Sequence, residues 1–208
     1  MVLFLHVTTR LVGRPYDDLL LRKGLMGFPS FVVLDEDGEL LAVVEKRTVE
    51  GFEAAVAAAK DLKALDDAGK AGDAAAQKTV LLKRIGWQAV PHAAASAALA
   101  KLDLTAEERT AATNSLLGIE MNEARLCTDK AEGLKRLLKI HSEGRLVDDQ
   151  RIAGTFWRYL SVGAETLGNA DAYGLYVEYL RGQIEKNPRM KTALDAAEKK
   201  LGAMKTKQ

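Results

Sequence analysis

Cysteine is almost absent from this 208-residue chain, where Cys127 stands alone. A single thiol cannot form an internal disulfide, and there is no Cys-x-x-Cys pair for redox chemistry. Cys127 reads as a small apolar filler on a helix face, the usual place of a free cysteine. Histidine is scarce as well: His6, His92 and His141 are far apart, and none has the spacing of a metal-binding pair. No metal and no cofactor are expected. Neither charge is in excess, with 30 Lys and Arg against 29 Asp and Glu and a net charge of +1. Nucleic-acid binders carry a strong basic surplus, so that class of partner is set aside.

Long apolar runs are missing too. None reaches the roughly 18 residues of a membrane-spanning helix. The opening "MVLFLHV" (1–7) is short, lacks a basic start, and has no small-residue cleavage site behind it. It reads as a strand rather than a signal peptide, so the chain as given is expected to be cytoplasmic and away from membranes. What remains is a composition with 48% hydrophobic and 28% charged residues, the balance of a soluble globular protein. The length suits one large domain or two small ones.

Residues 1 to about 46 have the patterning of strands. "VLFLHV" (2–7), "SFVVLD" (30–35) and "ELLAVVEK" (39–46) are short apolar runs. Such runs suit strands covered on both faces. "DEDG" (35–38) sets Asp-Gly where a tight hairpin turn wants it, because glycine tolerates positive φ. It lacks the distal Glu that would make it a calcium loop. "PYDDLLLRKG" (15–24) between the first two strands reads as a short helix begun by Pro15 and ended by Gly24.

From Thr48 onward the period is helical. Thr48 caps a helix over 49–66, with Phe52, Val56 and Leu62 among alanines. "DAGKAGD" (67–73) is the expected boundary between a first domain, 1–66, and a helical bundle, 73–208. Helices are predicted over 73–85, 91–102, 105–126, 129–143, 148–167, 170–186 and 188–204. "TAEE" opens the third of these with a capping box, Thr105 and Glu108. In 148–167 the apolar set is Ile152, Phe156, Tyr159, Leu160 and Leu167; in 170–186 it is Tyr173, Tyr176, Val177, Leu180 and Ile184. Each is a one-sided stripe that must be buried against a neighbour. Short connections imply antiparallel helical hairpins, repeat-like but without a clean tetratricopeptide period. The fold class is therefore α+β, a small sheet followed by an all-α helical-hairpin bundle.

The order strand, helix, strand, hairpin, strand, helix, and above all "KGLMGFPSFVVLDEDGELLA" (23–42), resembles the C-terminal part of a thioredoxin fold. "TVEGFEAAVAAAKDL" (48–62) stands where that fold has its final helix. The likeness covers roughly the first 65 residues. More narrowly, residues 6–42 resemble a bacterial group of thioredoxin-like proteins with a helical C-terminal extension, which implies architecture more than function. The resemblance implies a cis Pro29, a backbone at Phe28 open to an extended peptide, and Gly27, Phe28 and Pro29 as the peptide-binding candidates. Pairing there would be β-augmentation.

The departures from the family matter more. Its Cys-x-x-Cys lies before the strand that "VLFLHV" resembles, and Cys127 falls in the helical half, so no catalytic residue is nominated. The resemblance also implies a missing central strand. Either three strands form a remnant sheet backed by helices, or a homodimer completes the sheet across subunits, since open sheet edges associate.

Other constellations are structural on their face. Asp17-Asp18, Asp66-Asp67 and Asp148-Asp149 lie near helix ends, and those at helix starts suit capping better than acid–base work. The tail from Arg189 holds six basic and two acidic residues and reads as a solvated helix. Trp87, Trp157 and the tyrosines 159, 173, 176 and 179 are core or groove residues. Trp157, Tyr173 and Tyr176 are the groove candidates. The expected function is a non-catalytic, thioredoxin-like protein-interaction or scaffold module with a protein or peptide partner. The alternative is a truncated thiol–disulfide oxidoreductase whose Cys-x-x-Cys lies upstream of Met1.

Overall fold

A computed structural model describes residues 23, 25, 30–147 and 149–206. The expected strand over 2–7 lies outside the described residues, as does the expected helix over 15–24 apart from residue 23. The chain divides into two compact units, Met1–Leu116 and Leu117–Gln208.

In the first unit, strands β1 (Val32–Leu34) and β2 (Leu40–Val43) form an antiparallel two-stranded sheet. Three strands are expected from the sequence, and two are present among the described residues. The acidic turn works as the Asp-Gly pattern suggests. Gly38 adopts φ +78°, and Asp35 Oδ1 accepts from the N–H groups of Asp37 (3.0 Å) and Glu39 (2.7 Å). Val33 pairs with Ala42 and Leu34 with Leu40, so Leu41 is an extra residue on β2. The bulge breaks the in–out alternation of a regular strand. Leu40, Leu41 and Ala42 are all buried.

Helix α1 (Val49–Lys70) lies against both strands. Thr48 Oγ1 accepts from Gly51 N–H at 3.2 Å and caps it. Ala55, Ala59 and Leu62, at i, i+4 and i+7, supply its buried stripe, which joins Leu41, Ala42 and Val80 in one core. Phe52, one of the large apolar residues of this helix, is 40% exposed and meets Phe31 edge-on with ring centroids 5.2 Å apart. α1 runs four residues beyond its expected end. Ion pairs Lys63–Asp67 and Lys70–Asp66 at i, i+4 support the extra turn. Gly69 within it is a close contact rather than a stop: a Cβ there would lie 2.9 Å from Gln77 Cγ. The break narrows to 71–73, where Gly72 takes φ +107° and Asp73 Oδ1 caps helix α2 (Ala74–Gly86). The stretch 67–73, the expected domain boundary, is thus a helix end and turn inside the first unit.

Helix α3 (His92–Leu99) is shorter than expected, and α4 (Ala106–Leu126) contains the division between the units. The capping box of α4 forms, with Thr105 N–H on Glu108 Oε2 (2.8 Å) and Glu108 N–H on Thr105 Oγ1 (3.2 Å).

In the second unit, α5 (Lys130–Ser142), α6 (Gln150–Leu167), α7 (Ala170–Ile184) and α8 (Lys191–Lys205) follow one another, with a 3₁₀ turn at Pro188–Met190 before α8. Each packs on the next in sequence. This is the serial arrangement that one-sided helices with short connections favour. Asp129, Asp149 and Asn169 cap α5, α6 and α7 through side-chain oxygens, and Gly168 ends α6 at φ +64°. The core takes Leu134, Leu137 and Ile140 from α5, Phe156, Leu160 and Ala164 from α6, Tyr173, Val177 and Leu180 from α7, and Leu194 and Ala197 from α8. Leu167 departs from its expected stripe and is 41% exposed at the helix end. The architecture is α+β and mainly helical, and no helix among the described residues is long and apolar enough to cross a membrane.

Candidate functional site

Gly27, Phe28 and Pro29 lie outside the described residues, so the peptide-binding candidates have no described geometry. Trp157, Tyr173 and Tyr176 all belong to the second unit, where the two tyrosines pair with each other and Trp157 has other ring partners. Trp157, on α6, is buried; its ring stacks on Tyr179 of α7 at 4.8 Å and 14°, and meets Phe156 and His141 edge-on at 5.1 and 5.3 Å. Tyr173 instead pairs with Tyr176, centroids 5.8 Å apart. Burial pushes both phenols above their ordinary pKa.

The result is a row of rings, His141–Trp157–Tyr179, that crosses α5, α6 and α7. Trp157 is closed over in its centre, while His141 and Tyr179 at its ends are half-buried. Offset stacks and edge contacts of this kind hold rings in place beyond their area burial. Also on α6, Tyr159 donates from its hydroxyl to Asn122 Oδ1 (3.0 Å), and Arg125 and Arg158 lie 5.0 and 5.2 Å from its ring centre. Cys127 is half-buried beside the glycine of α5, where a Cβ on Gly133 would come 3.3 Å from its own Cβ.

The first unit holds a cleft of about 450 Å³. Asp66, Gly69 and Lys70 of α1 form one side, Gln77, Val80, Leu81 and Arg84 of α2 the other, and Glu39 and the 89–91 turn close its ends. Asp66 sits among cations: Lys70 Nζ is 2.9 Å and Arg84 Nη2 3.5 Å from its Oδ2. These are ion-pair distances, yet neither contact has hydrogen-bond alignment, and Oδ2 and Arg84 Nε are both buried without a hydrogen-bond partner. The Lys70 ammonium lowers the Asp66 carboxyl below its ordinary pKa; burial opposes this, and Arg84 adds to the lowering. Glu39 is met by Lys23 at 3.6 Å.

Asp66 therefore departs from its expected place in an acidic pair near a helix end. It is an internal ion partner, while Asp67 turns to Lys63. The i, i+4 spacing of Asp66 and Lys70 was a readable signal for half of this cluster. Arg84 comes from the next helix, and nothing in local spacing points to it. Among the described residues, no three His, Cys, Asp or Glu side chains converge as metal ligands.

No protein-family model, curated protein or solved structure gives a significant match to this chain.

Proposed function

We propose that the chain is a non-catalytic protein-interaction module, with a thioredoxin-like partial sheet of three strands joined to a helical scaffold that receives a protein or peptide partner. The observation that carries this reading is the ring row His141–Trp157–Tyr179. It is anchored by a buried tryptophan on α6 and offers half-buried aromatic ends on the two flanking helices, α5 and α7. Rigid aromatic side chains are favoured contact residues because they bring large area at low entropy cost. The hairpin β1–β2 followed by α1 against it supports the thioredoxin-like part, since this is the order the resemblance requires. On this reading, Gly27, Phe28 and Pro29 add a short pairing edge for an extended peptide.

Quantified affinity capture tests the proposal. The bait is the full chain, compared with His141→Ser and Tyr179→Ser singly and together, and with a Phe28→Ala, Pro29→Ala variant. Partners held by the parent chain should be lost from the double ring variant while its helical circular dichroism is kept. Partners retained at parental levels by a folded double variant would remove the ring row from the account.

A further inference from the structure

The ring row of the second unit carries hydrogen-bonding groups that the described residues leave unmet. We propose that it reads a proline-rich segment in the polyproline II form, with two prolines one turn apart (Pro-x-x-Pro) over His141 and Tyr179 and a peptide carbonyl on the indole of Trp157. This rests on the reading that the row receives a protein partner, and adds the chemistry of what it receives.

The first observation is an unmet donor at the centre of the row. Trp157 is only 8% exposed. Its indole Nε1–H keeps contact with solvent and meets no acceptor among the described residues. A tryptophan buried to this degree usually finds a partner for its N–H. The Tyr179 hydroxyl and the His141 imidazole also make no hydrogen bond among the described residues. An indole donates and never accepts. The ligand over Trp157 must therefore bring an acceptor, and the row itself holds no carboxylate, lysine or arginine that would select a charged one.

The second is the kind of backbone that brings acceptors in this form. An α-helix has spent its carbonyls on itself. A strand brings as many N–H groups as carbonyls and needs a sheet edge to satisfy them. A polyproline II segment makes no internal hydrogen bonds, and each proline in it has a carbonyl but no N–H. Aromatic-lined surfaces are the known seats of such segments. The length fits as well. Ring steps of 5.3 and 4.8 Å put the His141 and Tyr179 centres no more than about 10 Å apart. One polyproline II turn is about 9 Å.

The third is bare backbone beside the rings. Gly154 of α6 and Gly182 of α7 are exposed, and nothing lies within 4 Å of where a Cβ would stand on either. Gly154 is three residues before Trp157 and Gly182 three after Tyr179, so each shares a helix face with its ring. Both steps lead away from the short connection at Gly168-Asn169, which sets the two glycines at one level of the hairpin, a turn beyond the stacked pair. Glycine inside a helix is less stable than alanine. No neighbour among the described residues requires either one. Together they leave a shallow floor on which a second backbone can lie close.

The test titrates the full chain with three capped peptides of equal length: one carrying Pro-x-x-Pro, one alanine-rich and helical, and one of glycine and serine. Binding is read by heteronuclear NMR from the two indole N–H signals. The proline peptide should move the Trp157 signal saturably and leave that of Trp87, in the first unit, in place. The other peptides should bind at least about tenfold more weakly. Tyr179→Phe keeps the ring and loses the hydroxyl, so affinity should fall roughly threefold to tenfold. Gly154→Ala with Gly182→Ala should weaken the proline peptide by about tenfold while the thermal midpoint stays at or above the parent's. A fold defect would lower both. Equal binding of the helical or the glycine–serine peptide, an unmoved Trp157 signal, or full affinity in the glycine double variant would overturn the proposal. None of these results touches the wider reading, which stands or falls on the partners captured by the His141→Ser, Tyr179→Ser variant.

Discussion

Asp66 shows how much one side chain depends on its surroundings. It is among the few charged groups buried in the described structure, and it is held ionised by Lys70 first and Arg84 second. Its folded pKa lies below the ordinary value near 3.9, so the stabilisation it gives is present above that value and is lost as pH falls through the folded pKa. Asp66→Asn should therefore lower stability at pH 7 by about 1–3 kcal/mol, the usual cost of leaving buried charged partners unmatched. The difference from the parent chain should shrink as pH falls below about 4. Denaturant unfolding at several pH values measures this; a gap that stays constant down to pH 2 would refute it. The Thr105–Glu108 box makes a simpler case. Thr105→Ala should cost about 1 kcal/mol in the same assay, because it removes the acceptor for Glu108 N–H. Both residues stood out in the sequence, and only one was understood there. A capping box is read within four consecutive residues, whereas the partner that explains Asp66 sits on another helix.

Elements were legible where a local period specifies them. The hairpin at Asp35–Gly38, the caps at Thr48 and Thr105, and the run of helices after Thr48 all follow from turn chemistry and spacing. Boundaries blurred where a glycine had a second use. Gly69 in "DAGKAGD" looks like a breaker, yet it lies inside α1 because Gln77 packs against it and donates to its carbonyl. Gly133 is the sharper example, since a Cβ there would overlap the Ala124 carbonyl where α5 begins beside the end of α4. Gly133→Ala should destabilise by about 1–3 kcal/mol, the range for forced overpacking. Gly174, inside α7 with nothing near its absent Cβ, provides the contrast. Gly174→Ala should stabilise by roughly 0.4–1 kcal/mol through the unfolded chain. Thermal unfolding of the two variants should move in opposite directions, and a shared direction would contradict these packing assignments.

At the scale of the whole molecule, α+β order and serial helical hairpins were readable from the change of period at Thr48, while the pairing of side chains between helices was not. Periodicity ranks the faces of a helix but does not name the neighbour that each face meets. That is why Trp157 stood beside Tyr173 and Tyr176 as a groove candidate, whereas its ring partners are Tyr179 and His141. The same limit hid Arg84 from Asp66. The division into units likewise falls between Leu116 and Leu117, in the middle of a well-formed helix that carries no compositional break. The central claim, that the second unit receives a protein partner along its ring row, is tested most directly by site-specific photo-crosslinking in source cells. A photoreactive phenylalanine analogue replaces Tyr179 in one chain and the exposed Glu185 in another. The account predicts a discrete crosslinked species from position 179 that is absent from position 185. No adduct at 179, or the same adducts at both positions, would contradict it.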